Sequence, residues 1–280
     1  MKRILTIQDI SCLGRCSLTV ALPIISAMGV ETCIIPTAVL STHTMFPGFT
    51  FRDLTDEIKP ITEHWKENQI DFDALYTGYL GSIEQVDLVM GVFEDFKKED
   101  NLIVVDPVIG DNGRIYPVLS MEFAREMTKL CQKADIIVPN LTEAALMTGR
   151  EYRENYDENY VKDMLKALAE LGAKINVLTG IGFSENELGI MGYHSEEDRF
   201  FSYFNKKYPV LCHGTGDIYA STCVGALMNE KSVEESFAIA VDYISEIIRL
   251  TEMDHDKRSY GVNFEQAIPY LIERLRESEG

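Results

Sequence analysis

The tetrapeptide Gly214-Thr215-Gly216-Asp217 combines a permissive backbone with a carboxylate. Its two glycines allow a tight turn and a close approach of the main chain to a ligand. An apolar helix is predicted to begin here, and the unpaired N–H groups at a helix start favour an anion such as a phosphoryl group in transfer. Asp217 could accept a proton from an attacking alcohol. Because Thr215 or Asp217 could equally cap the helix, the tetrapeptide alone predicts either a catalytic site or a cap.

Further upstream, polar side chains follow predicted strands at positions that suit a phosphate–metal complex. Asp106 and Glu143 could hold Mg²⁺, partly through water, because this ion keeps several waters when it binds protein carboxylates. Asn140 and Thr179 could contact phosphate oxygens. Taken singly, Asp106 could be a turn residue before proline, and Glu143 an acid in the first turn of a helix.

The elements that must position these residues alternate along the chain. Almost wholly apolar strands, typical of parallel strands covered on both faces, alternate with amphipathic helices up to residue 180. This predicts an α/β fold with a doubly wound, mostly parallel central sheet and helices on both faces, with ligands at the carboxyl ends of the strands. No repeat or linker interrupts residues 1–280, which predicts a single domain. The predicted strands are 3–7, 32–39, 74–77, 102–105, 136–138 and 175–179, with a hairpin of 188–193 and 199–203; the predicted helices are 18–28, 54–68, 83–97, 121–132, 157–171, 217–228, 233–250 and 264–276.

Composition narrows the possible partners. The 26 basic and 45 acidic residues give a formal charge of −19, which repels nucleic acid and anionic lipid, so neither is a predicted partner. No apolar run approaches the roughly 20 residues that span a bilayer, and the first residues lack the apolar region of a signal peptide. The six cysteines have neither CxxC nor zinc-like spacing. We therefore expect reduced thiols in a cytoplasmic protein.

Three motifs together resemble those of the ribokinase superfamily. Residues 214–217 resemble its GTGD anion-hole motif, residues 106–111 resemble the DPV-G segment of its vitamin kinases, and residues 135–143 resemble the strand leading into its N-x-x-E motif. The resemblance implies that Asp217 is the catalytic base and that the backbone of residues 214–216 stabilises the transferred phosphoryl group. It implies ATP as the phosphoryl donor, with Mg²⁺ near Asp106 and Glu143. A monovalent cation could also be bound.

Within that superfamily, the N-terminal half resembles the pyridoxal kinases. The similar segments are residues 7–14, 37–44 and 76–81. The resemblance implies phosphorylation of the hydroxymethyl group of a B6 vitamer, and a homodimer. The side chains that it implies for substrate binding are Asp9, Ser11, His43, Thr44, Met45 and Tyr79.

Two departures from the pyridoxal kinase pattern leave alternatives open. Asp9 stands where these enzymes typically place a serine, and a carboxylate there would favour the amine of pyridoxamine. His213 precedes the GTGD motif, as in hydroxymethylpyrimidine kinases, although those often end the motif in cysteine rather than Asp217. A hydroxymethylpyrimidine kinase is therefore the first alternative. A non-catalytic B6-binding protein is less favoured, because a pure binder needs no positioned base.

Overall fold

The computed structural model describes residues 1–44, 46–208 and 214–277. Its strands are β1 (Arg3–Ser11), β2 (Glu31–Leu40), β3 (Phe51–Asp53), β4 (Ala74–Thr77), β5 (Leu102–Val105), β6 (Gly110–Asp111), β7 (Arg114–Ile115), β8 (Ile136–Ile137), β9 (Ile175–Ile181), β10 (Glu187–His194) and β11 (Arg199–Lys206). Its helices are α1 (Leu18–Ala27), α2 (Thr55–Glu67), α3 (Ile83–Phe96), α4 (Met121–Cys131), α5 (Leu141–Thr148), α6 (Glu158–Ala169), α7 (Thr215–Met228), α8 (Val233–Met253) and α9 (Phe264–Glu277).

The described strands form one nine-stranded sheet, in the order β11-β10-β9-β8-β5-β4-β1-β2-β3, and a separate β6–β7 hairpin. The six strands from β9 to β2 are parallel. At the edges, β10 pairs in antiparallel fashion with both β9 and β11, and β3 pairs in antiparallel fashion with β2. The predicted doubly wound α/β fold is confirmed. Across the described part of the chain, no helix has the length and apolar character required to cross a membrane.

Alternating side chains of the central strands enter two apolar cores, one on each face of the sheet. Leu75 of β4 packs in the core beneath α3 to α6, whereas its neighbour Tyr76 packs in the core beneath α1, α7 and α8. Both side chains are fully buried. Because successive residues of a strand point to opposite faces, burial on both sides explains why most residues of these strands are apolar.

The structure adds elements that the hydrophobic pattern did not predict. Helix α5 has six buried residues among its eight and therefore lacks the polar face that identifies an amphipathic helix. Strand β3 has three exposed residues, and β1 continues four residues beyond its predicted end, to Ser11, where it still pairs with Leu40 of β2.

Gln85 of α3 connects three neighbouring segments of the chain through hydrogen bonds of its side chain. Its side chain is 2% exposed, and its Nε2 donates to the carbonyl oxygen of Thr37 (3.1 Å) and to Oγ1 of Thr55 (2.9 Å). Its Oε1 accepts the N–H of Gly81 at 2.8 Å. The side chain therefore holds β2, the start of α2 and the segment after β4 together.

We expect Gln85→Met to lower the free energy of unfolding by about 1–3 kcal/mol, because it removes three hydrogen bonds of a buried side chain, to the Thr37 carbonyl, the Thr55 hydroxyl and the Gly81 N–H. Urea denaturation measures this change. The same substitution at the exposed Gln132 is the control, with an expected change within about 0.5 kcal/mol. A loss at Gln85 no larger than at Gln132 would contradict the connecting role.

Candidate active site

Most of the predicted site residues meet at the carboxyl edge of the parallel strands. Asp9 and Ser11 lie at the end of β1, Tyr79 follows β4, Asp106 follows β5, and Asn140 forms a bridge with Thr179 of β9. A cleft of about 480 Å³ opens beside this edge. Its lining includes the following predicted residues: Asp106, Asn140, Glu143, Thr179 and residues 214–217.

Asp217 lies in the first turn of α7 and borders the cleft. Its Oδ2 accepts the backbone N–H of Ser17 at 2.9 Å. Burial raises the pKa of Asp217 to about 6, the Ser17 N–H opposes that rise, and the negative charge of Asp9 adds to it. A carboxyl group with a pKa near 6 can take a proton from an alcohol close to neutral pH.

Asp9 is 5% exposed, and neighbouring hydroxyl groups occupy both of its carboxylate oxygens. Ser17 Oγ donates to Oδ1 at 2.6 Å, and Ser11 Oγ donates to Oδ2 at 3.1 Å. Burial raises the pKa of Asp9, while these two hydrogen bonds lower it. Tyr79 lies near enough that the charge of Asp9, after burial, contributes to raising the tyrosine pKa.

Asp106 and Glu143 form a second pair of buried carboxylates, 7% and 3% exposed. Burial raises the pKa of Asp106 well above its usual range, and the charges of Glu143 and then Asp217 add to the effect. Burial also raises the pKa of Glu143 to about 7. A carbon atom added to Gly216 would lie 3.9 Å from Asp106 Oδ2, so the aspartate lies against the first turn of α7. A cation would stabilise this arrangement.

Glu143 and Asn140 also have structural partners, as the sequence alternative anticipated. They form a capping box at the start of α5: Asn140 Oδ1 accepts the N–H of Glu143, and Glu143 Oε2 accepts the N–H of Asn140. Glu143 Oε1 accepts the N–H of Ile109 at 2.9 Å, and Asn140 Nδ2 donates to the carbonyl of Gly110 at 2.9 Å. These contacts fix the segment after β5 relative to α5.

Two aromatic rings lie beside His43, one of the residues predicted to bind the substrate. The ring of His43 lies 5.1 Å from that of Phe46 and 6.5 Å from that of Tyr260, measured between centroids. Thr44 is exposed beside this group. Met45 lies outside the described residues, as does His213.

Sequence reasoning missed several residues that the fold brings to the site. Ser17 would be interpreted from sequence as an ordinary helix cap, yet its N–H reaches Asp217. From the sequence, Lys206, Lys207 and Arg15 could each reach a nucleotide phosphate, but a solvated surface position is favoured. In the structure, Lys206 and Lys207 both line the cleft, whereas Arg15 donates from Nε to Glu265 Oε1 at 3.2 Å. The cleft position of the two lysines depends on the packing of the antiparallel strand β11 against α8, which the hydrophobic pattern does not indicate.

Close backbone contact fixes the start of α7 against the β1–α1 loop. Gly214 has φ +81°, and a Cβ added there would lie 2.3 Å from the carbonyl oxygen of Arg15. Only glycine fits this position without displacing one of the two main chains. The contact brings the loop that contains Ser17 against the turn that precedes Asp217.

Most of the chain matches a single protein family. Residues 22–263 match the family described as phosphomethylpyrimidine kinase. Among curated proteins, the pyridoxal kinase of Dictyostelium discoideum is 26% identical over 267 residues, which cover 87% of this chain and 86% of that protein.

Solved structures agree with the family match. A protein from Bacteroides thetaiotaomicron, named as a candidate phosphomethylpyrimidine kinase and crystallised with pyridoxal, is 38% identical, with a TM-score of 0.91 over 96% of this chain and 95% of its own. The pyridoxal kinase of Lactobacillus plantarum is 29% identical, with a TM-score of 0.89 over 100% and 99%. These matches confirm the predicted resemblance to pyridoxal kinases.

We expect Gly214→Ala to cost about 1–3 kcal/mol more in the free energy of unfolding than Gly149→Ala, because only the former places a Cβ against a backbone carbonyl. Gly149 is a matched control: its φ is +68°, and no atom lies within 4 Å of an added Cβ. Urea denaturation of both variants separates the clash from the cost of the left-handed backbone. Equal losses would show that the β1–α1 loop moves away freely.

Proposed function

Because the chain belongs to the phosphomethylpyrimidine kinase family, we propose that it is an ATP-dependent kinase that phosphorylates the hydroxymethyl group of pyridoxal, pyridoxine or pyridoxamine. The observation that carries the proposal is the position of Asp217, a carboxylate with a raised pKa that borders the cleft in the first turn of α7. The relatives named above as pyridoxal kinases, and the relative crystallised with pyridoxal, favour a B6 vitamer over hydroxymethylpyrimidine.

In the proposed reaction, Asp217 takes the proton of the hydroxymethyl group as its oxygen attacks the γ-phosphorus of ATP. A bond forms from that oxygen to phosphorus, the bond from phosphorus to the β,γ-bridging oxygen breaks, and ADP leaves. The N–H groups of residues 214–217 start a helix and carry its positive dipole end, so they stabilise the oxygens of the group in transfer. Ser17 keeps Oδ2 of Asp217 occupied, which leaves Oδ1 for the substrate.

Asp106 and Glu143 would hold Mg²⁺, which neutralises charge on the nucleotide phosphates. Their raised pKa values show that each carboxylate lies in surroundings that disfavour its charge, which suits a nearby divalent cation. Glu143 already accepts two backbone N–H groups, so Asp106 is the better direct ligand and Glu143 the better holder of a metal-bound water. Asn140 and Thr179 lie beside them in the cleft and would contact the phosphates or their waters.

The far end of the cleft suits the rest of the nucleotide. Val241, Ile244 and Ile248 of α8 provide an apolar wall, and Lys206 and Lys207 add positive charge at the end of β11. Lys206 Nζ lies 5.0 Å from the centroid of the Tyr208 ring. A flat base against the apolar wall and phosphates near the lysines would fit this distribution.

The vitamer would bind on the β1 side of Asp217. Asp9, Ser11 and Tyr79 would border it at the strand ends, and His43 and Thr44 would cover it from the loop after β2. Met45, outside the described residues, remains part of this proposal, and so does a homodimer.

We expect the purified protein to form ADP from ATP in the presence of Mg²⁺ when any of the three B6 vitamers is supplied, with a higher kcat/KM than for hydroxymethylpyrimidine.

Asp217→Asn should lower kcat by about 10²–10⁴-fold, because the general base is lost, while the Kd for ATP stays nearly unchanged. In the wild type, kcat/KM should fall as the pH drops below about 6, since protonation disables Asp217.

The control is Asp111→Asn, which makes the same isosteric change at an exposed position of the same cleft, and we expect less than about a fivefold loss in kcat. Near wild-type turnover of Asp217→Asn would remove this residue from the mechanism. Faster turnover of hydroxymethylpyrimidine than of every vitamer would overturn the substrate assignment.

We expect Asp106→Asn and Glu143→Gln each to raise the Mg²⁺ concentration required for half-maximal activity, because each removes a negative charge next to the metal. Ser120→Ala is the control for a lost helix cap, since Ser120 Oγ accepts the N–H of Phe123 at the start of α4, outside the cleft lining. It should cost about 1 kcal/mol of stability and leave the Mg²⁺ titration unchanged. Unchanged titrations in both carboxylate variants would return these residues to structural roles.

A further inference from the structure

Ser17, at the start of α1, has a backbone conformation that residues other than glycine rarely adopt. Its φ is +51° and its ψ is −134°. Such a conformation costs free energy and persists only where the surroundings impose it. Its side chain does not cap the helix that it precedes, although serine is among the residues that most favour this role.

The Ser17 hydroxyl is used elsewhere. Its Oγ donates to Oδ1 of Asp9 at 2.6 Å, and this bond connects the β1–α1 loop to the end of a buried strand. A hydrogen bond to a carboxylate is shorter and stronger than one between neutral groups. Asp9 can therefore help hold Ser17 in its unfavourable conformation.

The same conformation directs the Ser17 N–H at the proposed base. The N–H donates to Oδ2 of Asp217 at 2.9 Å, across 200 positions of the chain. The peptide group between Cys16 and Ser17 would turn with any relaxation of φ at Ser17, and the N–H would then leave Asp217. The orientation of the base therefore depends on what holds Ser17.

Asp9 is well anchored for this task. The register between β1 and β2 shifts between Gln8 and Ile10, where two residues of β2 stand opposite Asp9 alone. The carboxylate is buried, and its second oxygen accepts Ser11 Oγ at 3.1 Å. This side chain on the central sheet adds an anchor from outside the loop to the one within it, where Thr19 Oγ1 donates to the carbonyl of Cys16 at 2.7 Å.

We propose that Asp9 is a positioning residue for the catalytic base: its carboxylate holds the Ser17 hydroxyl, and thereby keeps the Ser17 N–H on Asp217. The proposal rests on the proposed function in taking Asp217 as the base. It differs from the sequence expectation that Asp9 binds the amine of pyridoxamine, because both oxygens of Asp9 already accept hydroxyl groups of the protein.

The first test compares two substitutions at Ser17 by kcat at saturating ATP and vitamer. Ser17→Ala removes the hydroxyl but keeps a Cβ that resists positive φ, and we expect kcat to fall about tenfold, which corresponds to about 1.4 kcal/mol. Ser17→Gly also removes the hydroxyl, but glycine adopts this backbone at little cost, so kcat should fall at least about threefold less than in Ser17→Ala. Equal losses in the two variants, or a wild-type kcat in Ser17→Ala, would overturn the proposal.

The second test places Asp9→Ala in the wild type and in Ser17→Gly. If Asp9 acts through Ser17, the Asp9→Ala substitution should lower kcat at least about tenfold in the wild type and less than about threefold in Ser17→Gly. These losses should be the same for pyridoxal and for pyridoxamine. Two outcomes would overturn the proposal by showing that Asp9 acts on the substrate. One is a loss of kcat of the same size in both backgrounds, and the other is a loss of kcat that differs between the two vitamers and persists in Ser17→Gly.

A third measurement does not require catalysis, so it separates this proposal from the proposed function. Hydrogen exchange of the residue 17 amide, followed by NMR, should be at least about tenfold faster in Asp9→Ala than in the wild type. Thr128→Val is the control: Thr128 Oγ1 donates to the carbonyl of Ala124 at 2.7 Å within α4, away from the β1–α1 loop, and its loss should leave both this exchange rate and kcat within about twofold. Unchanged exchange in Asp9→Ala would overturn the positioning role even if the protein phosphorylates every vitamer.

Discussion

Asp9, Asp106, Glu143 and Asp217 lie at one edge of the sheet, where burial raises the pKa of each carboxyl group. The charge of another aspartate or glutamate adds to this rise for Asp106, Glu143 and Asp217. Negative charge gathered out of water is costly unless hydrogen bonds or cations compensate it. The surrounding structure supplies donors for this purpose: the hydroxyls of Ser11 and Ser17 at Asp9, and backbone N–H groups at Glu143 and Asp217.

This compensation links the local structure to the chemistry. A carboxylate fully neutralised by lysine or arginine would be a poor base, because its pKa would be too low to take a proton. Here the described partners of Asp9, Glu143 and Asp217 are uncharged donors, which orient the carboxylates without neutralising them. The cations of the cleft, Lys206 and Lys207, lie at the end of β11, on the side proposed for the nucleotide.

The hydrophobic pattern was sufficient for the sheet and for most helices. Strands such as β4 and β5, buried on both faces, are almost wholly apolar, and amphipathic helices such as α4 have a clear polar side. Two short elements, α5 and β3, were not predicted. Helix α5 is buried almost throughout and β3 is exposed throughout, so neither has a periodicity to detect.

The sequence by itself determined which residue types stand at the strand ends and at the start of α7, because glycine, aspartate and asparagine are placed there by local backbone and helix-terminus requirements. It could not determine which of them share a contact. The hydrogen bond from Ser17 to Asp217 and the contact of Gly214 with Arg15 join residues about 200 positions apart. Such contacts follow from the packing of α7 beside α1, which depends on the complete sheet and its two cores. Only the tertiary structure, therefore, decided that an apparent helix cap holds the proposed base.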